Sequence, residues 1–304
     1  MTVAVRPRVG FAGVGWIGRH RMEAVEPVVE VAGICDPAVD GALDSYEELL
    51  TSDLDGVVIA TPSALHADQA IAALERGIAV FCQKPLGRTA AETQRVVEAA
   101  HGADRLLAVD LSYRWTAAMQ AIRRAVRSGE LGDIFAADLV FHNAYGPDKP
   151  WFYDVELSGG GCLIDLGIHL VDLALWTLGL DRFEQVDGRL VGTPVEHYAV
   201  AQLDHVRIGC SWNLHAGRDC VFEAHFHGSE GGASLRNVDG SFYDFRAERY
   251  RGREIEVLAE PPDDWGGRAI ADWVERLAGG ERFDPECERV VEVARTLDRI
   301  YGRA

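Results

Sequence analysis

Lysine is nearly absent from this 304-residue chain, which contains only Lys84 and Lys149 while the other 28 basic residues are arginine. Acidic residues number 48 against 30 basic ones, which gives a formal net charge of −18. A surface with this charge repels phosphate backbones and anionic lipid headgroups. We therefore expect no nucleic acid and no membrane among the partners, and each lysine becomes a candidate for a specific role.

Ordered metal ligands and long apolar segments are also missing. The six cysteines form no C-x-x-C pair, and His225 and His227 have no acidic or cysteine ligand at a fixed spacing, so we predict no metal site. Unpaired thiols fit a reducing compartment. The first fifteen residues contain no long apolar stretch before a cleavage site, and no run of 18 apolar residues occurs. We expect a cytoplasmic protein.

The composition is that of a globular protein. Apolar residues make up 48% of the chain and charged residues 26%, which excludes disorder, collagen and a small disulfide scaffold. A chain of 304 residues exceeds what a single hydrophobic core usually organises. The length therefore favours two domains.

The first third of the chain alternates short apolar runs with amphipathic stretches, a pattern typical of βαβ units. Only one helical turn fits between the second and third runs. The predicted strands are 9–13, 28–35, 55–61, 78–83 and 105–111, with helices at 16–25, 66–77 and 89–101. This half of the chain is predicted to form a parallel Rossmann-type sheet.

The pattern changes near residue 111. After a helix at 116–128, period-two alternation from residue 134 to 248 predicts a large, mostly antiparallel sheet with one covered face. A strongly apolar helix, about 162–178, interrupts it, and helices at 266–279 and 285–301 close the chain. We predict an α/β protein with a Rossmann domain at 1–110. An α+β domain for substrate binding and oligomerisation follows at 111–304, its terminal helices being able to pack on the first domain. The exposed sheet face favours a homo-oligomer, a dimer or tetramer.

A G-x-G-x-x-G motif follows the first strand and opens the first helix: Gly13, Gly15 and Gly18, with Trp16 and Ile17 before the last glycine. The three glycines permit a tight turn, the approach of a pyrophosphate to the backbone, and close packing of helix on strand. The amide groups of the helix N-terminus then face the phosphates. These residues are predicted to bind a dinucleotide.

Asp36 ends the second strand, 18 residues after Gly18, where an acidic side chain can accept both adenosine ribose hydroxyls. No lysine or arginine occurs between Arg21 and Arg76, so no cation follows this strand to pair with a 2′-phosphate. The sequence therefore favours NAD over NADP.

Three stretches together give the chain a resemblance to a known family. They are the glycine motif, ATPSALHADQAIAALERGIAVFCQKPLG at 60–87 and GGGCLIDLGIHLVDLALWTLG at 159–179. The chain resembles the Gfo/Idh/MocA family of sugar and cyclitol oxidoreductases, which includes glucose-fructose oxidoreductase and inositol 2-dehydrogenase. The Lys-Pro pair after a Rossmann strand and the D-x-x-x-H helix are its most specific elements.

The resemblance implies that Lys84 is catalytic and that the Lys84–Pro85 bond is cis, directing the lysine toward the reacting oxygen. In the family a glutamate precedes this lysine, whereas the present chain has Gln83, which keeps hydrogen-bonding capacity toward a nicotinamide ribose hydroxyl but carries no charge. The further cofactor contacts that the resemblance implies are Thr61, Pro62 and His66.

Asp165, His169 and Asp172 are spaced by four and three residues, so they share one face of the predicted apolar helix. The resemblance implies that His169 is the general acid or base, a role that suits the pKa of histidine. Asp165 would then orient the substrate or the imidazole, and Asp172 would bind a neighbouring hydroxyl. Further substrate contacts are expected at Tyr113 and Arg114, after the last Rossmann strand, and at His142.

The expected activity is NAD-dependent interconversion of a secondary alcohol and a ketone on a sugar, amino sugar or cyclitol. Two other classes remain open: a non-catalytic NAD-binding metabolite sensor, and an NAD-dependent glycosidase or lyase that uses transient oxidation. Retention of Lys84, Asp165 and His169 argues against the sensor. Release of free NADH during turnover separates a dehydrogenase from the glycosidase or lyase.

Overall fold

The computed structural model describes residues 6–303, and the chain divides into two compact units. The first unit contains the chain up to Leu111 together with Gly266–Val291. The second contains Ser112–Trp265 and the chain from Glu292 onward. The division falls one residue after the boundary expected from the sequence, and residues 266–291, assigned by sequence to 111–304, belong to the first unit.

The first unit is built on a five-stranded parallel sheet in the order β2-β1-β3-β4-β5. Its strands are β1 (Arg8–Ala12), β2 (Glu30–Cys35), β3 (Gly56–Ile59), β4 (Ala79–Cys82) and β5 (Leu107–Val109). Its helices are α1 (Trp16–Val25), α2 (Tyr46–Leu49), α3 (Ser63–Glu75), α4 (Ala90–Ala103) and α8 (Arg268–Ala278). The sequence-based prediction of a Rossmann-type unit is confirmed.

Local sequence explains the main boundaries of this unit. Every residue of β3 and β4 is buried, as expected for central strands of a sheet covered on both faces. Helix α2 is a single turn whose cap, Ser45, accepts a hydrogen bond from the Glu48 amide. The Thr89 side chain caps α4 in the same way by accepting from the amide of Glu92.

Helix α8 belongs to the core of the first unit although it lies far along the chain. The Trp273 side chain is fully buried, and its ring centroid lies 5.8 Å from that of Phe81. A Cβ atom added at Gly56 would lie 2.6 Å from the Trp273 ring. Glycine on β3 therefore provides the space that the indole occupies.

The second unit is built on an eight-stranded sheet in the order β13-β12-β11-β10-β6-β9-β8-β7. Neighbouring strands are antiparallel except for β6 and β9. The strands are β6 (Ile134–Asn143), β7 (Val186–Val191), β8 (Tyr198–Leu203), β9 (Val206–Ser211), β10 (Cys220–Gly228), β11 (Gly232–Asn237), β12 (Phe245–Arg251) and β13 (Glu254–Ala259). The helices include α5 (Ala117–Arg127), α6 (Val155–Ser158) and α7 (Ile168–Leu178). Helix α9 (Arg289–Tyr301) begins in the first unit and continues in the second from Glu292.

The sheet contains one strand that the sequence did not predict. Residues 254–257 of the edge strand β13 are all exposed, so the alternation of apolar and polar residues marks no buried face there. Inner strands of the same sheet alternate clearly between buried and half-buried positions, as β10 does. The mostly antiparallel architecture is confirmed, with the edge strand added.

The apolar helix predicted at 162–178 begins differently from the prediction. Residues Leu163–Gly167 form a π-helical turn, in which the amide of Ile168 donates to the carbonyl of Leu163, and α7 continues from it. Gly167 permits this turn to pack closely, since a Cβ atom there would lie 2.6 Å from the Leu163 side chain. The stretch Val155–Leu178 is long and apolar enough to cross a membrane, but 83% of its apolar window is buried, as in the core of a folded domain.

Candidate active site

The glycine motif in the first unit has the geometry of a phosphate-binding turn. Gly13 has φ +80°, and a Cβ atom there would lie 2.6 Å from the carbonyl oxygen of Ala60. A Cβ atom on Gly18 would lie 2.1 Å from the carbonyl oxygen of Gly13. Gly15 caps α1 without any side-chain hydrogen bond, so the amide groups of the first helical turn have no side-chain acceptor at the cap. These features fit a dinucleotide pyrophosphate.

The Asp36 carboxylate closes this turn from the end of β2. Its Oδ2 atom accepts from the amide of Val14 at 2.7 Å, and its Oδ1 atom accepts from the amide of Ala38 at 2.9 Å. A carboxylate has about four acceptor positions, so Asp36 keeps capacity for ribose hydroxyls. The arrangement fits an adenosine ribose without a 2′-phosphate.

His66 connects two segments at the carboxyl edge of the parallel sheet. Its Nδ1 atom lies 2.7 Å from the carbonyl oxygen of Pro85, and its Nε2 atom lies 2.7 Å from that of Thr61. Burial lowers the pKa of His66, and the two carbonyl oxygens oppose this shift. The neutral imidazole has one N–H, which donates to one of these two carbonyl oxygens, and the ring lies between the segments of Thr61 and Pro85.

The Lys84–Pro85 peptide bond is cis, as the family resemblance implies. The preceding side chain, Gln83, is buried and donates from Nε2 to the Oδ2 atom of Asp110. The same oxygen accepts from the Nε atom of Arg21 at 2.6 Å, and all three polar side chains are buried. A buried arginine and carboxylate thus hold the side-chain amide of the residue that directly precedes the candidate catalytic lysine.

In the second unit, the π-helical turn carries Asp165. This carboxylate is half-buried, and its Oδ2 atom accepts from the indole Nε1 of Trp212 at 3.0 Å. The rings of Tyr153 and Phe152 lie 5.6 and 6.4 Å from that of Trp212. The aromatic loop at 151–153 therefore contacts the residue that holds Asp165.

His169 lies one turn further along, in α7, and is only 5% exposed. The Tyr113 ring packs edge-on against the imidazole at 4.8 Å, and Phe141 lies 6.4 Å from it. Burial raises the pKa of Tyr113 well above its usual value. The Tyr113 phenol is therefore un-ionised where its ring packs against the His169 imidazole.

Asp172 and Arg114 are joined to each other. The Nε atom of Arg114 donates to Oδ2 of Asp172 at 2.8 Å, and its Nη2 atom donates to Oδ1, so the pair is bidentate. Asp172 is 1% exposed. Burial raises the pKa of the Asp172 carboxyl, and the guanidinium of Arg114 opposes that rise.

His142 does not lie with these residues, which corrects the expectation from the sequence. Phe141 faces His169 and Phe222, and successive side chains of a strand point to opposite faces of a sheet. His142 therefore lies on the other face of β6, where its Nδ1 atom lies 2.8 Å from the Ser211 hydroxyl and its ring lies 6.5 Å from Tyr198. Burial lowers the pKa of His142.

A second buried carboxylate, Glu196, holds the glycine loop before the π-helical turn. It accepts from the amides of Gly161 and Leu163, both at 2.9 Å, and from the hydroxyl of Tyr301 at 2.7 Å. A Cβ atom on Gly161 would lie 2.0 Å from the carbonyl oxygen of Glu196. The glycine is therefore required for this close approach.

Five residues of these sites were missed from the sequence: Arg21, Asp110, Glu196, Trp212 and Tyr301. A signal existed for Arg21, which shares the buried stripe of α1 with Gly18 and Val25. An arginine in a buried stripe requires a buried anion. No local signal marks Glu196, because its donors are distant in sequence. The two amides lie 33 and 35 residues away, and the Tyr301 hydroxyl lies 105 residues away.

Over residues 6–303 the structure shows no group of three or more His, Cys, Asp or Glu side chains arranged to hold a metal ion.

Two family models match the chain. Residues 7–111 match an oxidoreductase family with an NAD-binding Rossmann fold, and residues 119–234 match the GFO/IDH/MocA C-terminal domain. A putative UDP-kanosamine synthase oxidoreductase subunit of Amycolatopsis mediterranei (strain S699) is 31% identical over 275 residues, 77% of this chain and 76% of the relative.

Other curated relatives align over a shorter part. D-glucoside 3-dehydrogenase of Escherichia coli (strain K12) is 32% identical over 145 residues, 47% of this chain and 41% of the relative. The chain spans about half the length of three such relatives, between 41% and 58%.

Among solved structures, levoglucosan dehydrogenase in complex with NADH superimposes with a TM-score of 0.84 at 21% identity, covering 98% of this chain and 96% of that one. This last likeness concerns the fold.

Proposed function

This chain belongs to the Gfo/Idh/MocA family of oxidoreductases, and on that premise we propose that it is an NAD-dependent dehydrogenase or reductase of a sugar, amino sugar or cyclitol. The observation that carries the proposal is the joint presence of the dinucleotide turn with Asp36 and of Lys84 and His169 at the positions of the family motifs. When bound, the nicotinamide supplies hydride-transfer chemistry, and the protein supplies orientation and proton transfer.

The first unit would hold the cofactor. The amides of the first turn of α1 would face the pyrophosphate, and Asp36 would accept the ribose hydroxyls while repelling a 2′-phosphate. Val14 and Ala38 fix the carboxylate orientation through their amides. No lysine or arginine occurs between the end of β2 and Arg76, so NAD is the preferred cofactor.

Lys84 would hydrogen-bond the reacting oxygen and stabilise its alkoxide character electrostatically. His169 would take or return the hydroxyl proton, because a histidine can exchange a proton near neutral pH. Asp165, oriented by the Trp212 indole, would fix the imidazole or a substrate hydroxyl. Both oxygens of Asp172 accept from Arg114, so Asp172 would act by orienting Arg114 toward the substrate.

Two further parts of the proposal concern the setting of the enzyme. The outer sheet face carries a polar network of Ser234, Tyr250, Arg236 and Glu248, and we expect this face to form the contact of a homo-oligomer. Sedimentation analysis would show a dimer or tetramer.

The six cysteines are all free thiols, which suits a reducing, cytoplasmic location.

The proposal is tested by screening polyols, aldoses and amino sugars for NADH formation, followed by Lys84→Ala and His169→Ala on the best substrate. Each variant should lose about 100-fold or more in kcat, the usual contribution of a positioned proton-transfer group. NADH binding should change little in His169→Ala.

Matched controls are Lys149→Ala and His215→Ala, which remove exposed side chains of the same type. Turnover by both active-site variants at the level of these controls would refute the proposed roles. NADH release that stays far below substrate consumption would favour the glycosidase or lyase class.

A further inference from the structure

In the first unit, the residues on both sides of Lys84 contact buried polar groups, which we call the near anchor (at Gln83) and the far anchor (at Pro85). On the far side, the carbonyl oxygen of Pro85 lies 2.7 Å from the imidazole of His66. On the near side, the Gln83 side chain donates to Asp110, and the Gln83 amide donates to the carbonyl of Ile59 at 2.9 Å. The backbone of Lys84 is therefore held between two fixed points.

The near anchor contains Gln83, at a position where the family resemblance implies a glutamate. The carboxylate of this anchor belongs to Asp110, directly after β5, where it is 1% exposed. Its Oδ2 atom accepts from both Gln83 and Arg21, and the Oδ1 atom has no hydrogen-bond partner among residues 6–303. All hydrogen bonding of this buried charge thus depends on two donors.

The group of Gln83, Asp110 and Arg21 contains one positive charge, which can balance only one ionised carboxylate. Arg21 contributes the single positive charge, and its Nη1 atom also donates to the carbonyl of Gly266. A glutamate at position 83 would place two carboxylates within hydrogen-bond distance of each other beside one guanidinium. Like charges at this separation cannot both remain ionised without a large penalty. The amide of Gln83 avoids this penalty because it donates a hydrogen bond without carrying charge.

We propose that Gln83 and Asp110 are an amide–acid pair that positions Lys84: the amide directly precedes the lysine, the carboxylate lies on Asp110, and Arg21 balances its charge. Gln83, Asp110 and Arg21 are positioning residues, since they act on the reaction through the Lys84 backbone. This inference rests on the proposed function for the role of Lys84, but the pair itself is a property of the protein without cofactor.

The proposed role of the pair is tested with Gln83→Glu, Asp110→Asn and the double variant. Gln83→Glu alone pairs two acids, and Asp110→Asn alone leaves Arg21 buried without an anion, so each should lower kcat about tenfold or more while the KM for NAD changes less. In the double variant the new amide at position 110 can accept from Arg21 and donate to the new carboxylate at position 83. We expect its kcat to return to within about threefold of the original, a strongly non-additive result.

Thermal unfolding of the cofactor-free proteins gives a second readout. Each single variant should lower the midpoint by about 5 °C or more, and the double variant should recover most of it. In Gln83→Glu a buried acid gains a raised folded-state pKa, so this variant should lose more stability at pH 8 than at pH 5.

The matched control is Gln94→Glu, which creates the same pair of acids on an exposed face of α4, where Gln94 donates to Glu98 at 2.9 Å. Screening by water should make this variant nearly neutral.

The inference is overturned if Gln83→Glu behaves like Gln94→Glu, or if the effects of the two single variants simply add in the double variant. Failure of the original protein to bind NADH would instead refute the proposed function, and the unfolding measurements would still test the pair.

Discussion

Asp36 shows how one carboxylate can serve both the fold and the choice of cofactor. Its two oxygens each accept one backbone amide, from Val14 and from Ala38, which fixes the direction of the remaining lone pairs. Removing only the charge should therefore weaken the binding of ribose hydroxyls and relax the exclusion of a 2′-phosphate.

Asp36→Asn should lower the affinity for NAD about tenfold, the effect of losing one charge-assisted hydrogen bond. NADP affinity should fall less or rise, because the repulsion of its phosphate is removed. Titration of both cofactors by nicotinamide fluorescence measures the ratio. Asp40→Asn, an exposed acid in the same loop, is the control, and an unchanged NAD to NADP ratio in Asp36→Asn would contradict the assignment.

Arg114 and Asp172 form a buried ion pair whose contribution to stability depends on the charge of the Asp172 carboxyl. Desolvation raises the pKa of Asp172 in the folded protein and Arg114 opposes the rise. An acid whose folded-state pKa is raised contributes stability at low pH that is lost as the pH rises through that pKa. Loss of Arg114 removes the opposing effect and should strengthen this dependence.

Arg114→Met should therefore destabilise the protein by about 3–5 kcal/mol at pH 8, where Asp172 would be a buried and unpaired charge. The penalty should shrink at pH 5, because protonation removes that charge. Arg123→Met is the matched control, since the guanidinium groups of Arg114 and Arg123 both lie over the Trp176 ring, at 5.8 and 4.6 Å, and that of Arg123 donates to the Trp176 carbonyl. Denaturant unfolding at both pH values measures the difference, and an equal penalty for the two variants would contradict the argument.

At the scale of elements, the start of α7 depends on the Glu196 carboxylate. Three donors from the Gly161 amide, the Leu163 amide and the Tyr301 hydroxyl converge on a side chain that is 5% exposed. The π-helical turn that follows carries Asp165. Damage to this anchor should therefore reach the acid–base residues through the backbone.

Glu196→Gln keeps the shape but turns an NH2 group toward amide donors, so it should cost about 2–3 kcal/mol of stability. Tyr301→Phe removes one of the three donors and should cost about 1–2 kcal/mol. Glu184→Gln, at an exposed pair with Arg182, should be nearly neutral. Chemical denaturation gives these values, and the anchor is excluded if Glu196→Gln is as stable as Glu184→Gln.

Elements with a strong local signal were predicted well from the sequence. The bounds of α1 agree because Gly15 and the following apolar stripe are local, and the cap of α4 agrees because Thr89 precedes Glu92 by three residues. The edge strand β13 was missed because both of its faces are exposed. The π-helical turn was missed because the apolar spacing of 162–178 fits an α-helix throughout.

In the candidate site, too, local motifs could be recognised from the sequence, whereas long-range pairs could not. The glycine motif makes Gly13 and Asp36 candidates, and the family resemblance implies Lys84 and His169, whose environments are set by neighbouring elements. The partnership of Arg21 with Asp110 joins residues 89 apart, and that of Arg114 with Asp172 joins residues 58 apart. Long-range pairing is decided by topology, so sequence alone treated Arg114 and Asp172 as separate substrate contacts. The face of β6 on which His142 lies was likewise set by the register of the sheet.

At the scale of the whole molecule, the first unit is discontinuous in sequence. Residues 266–291 return to it after the entire eight-stranded sheet has been formed by the intervening chain. Trp273 of α8 packs on Phe81 and fills the space above Gly56, and Val290 and Val291 join the cluster of Val80 on the opposite face of the sheet. The glycine motif and Lys84 thus belong to a unit whose core is completed by the last part of the chain.

A fragment that ends at Leu111 contains the whole glycine motif, Asp36 and Lys84, yet lacks the residues that cover this core. Loss of a fully buried tryptophan alone costs about 3–5 kcal/mol, a large share of the roughly 5–15 kcal/mol that stabilises a typical domain. We expect the fragment to be unfolded by circular dichroism and to bind no NADH. Joining residues 6–111 to 266–291 through a flexible linker of about 20 residues should restore folding and binding, since such a linker adds little closure cost. A short fragment that folds and binds NADH unaided would show that α8 is dispensable, and the contacts of Trp273 would then be a consequence of the fold and not a requirement for it.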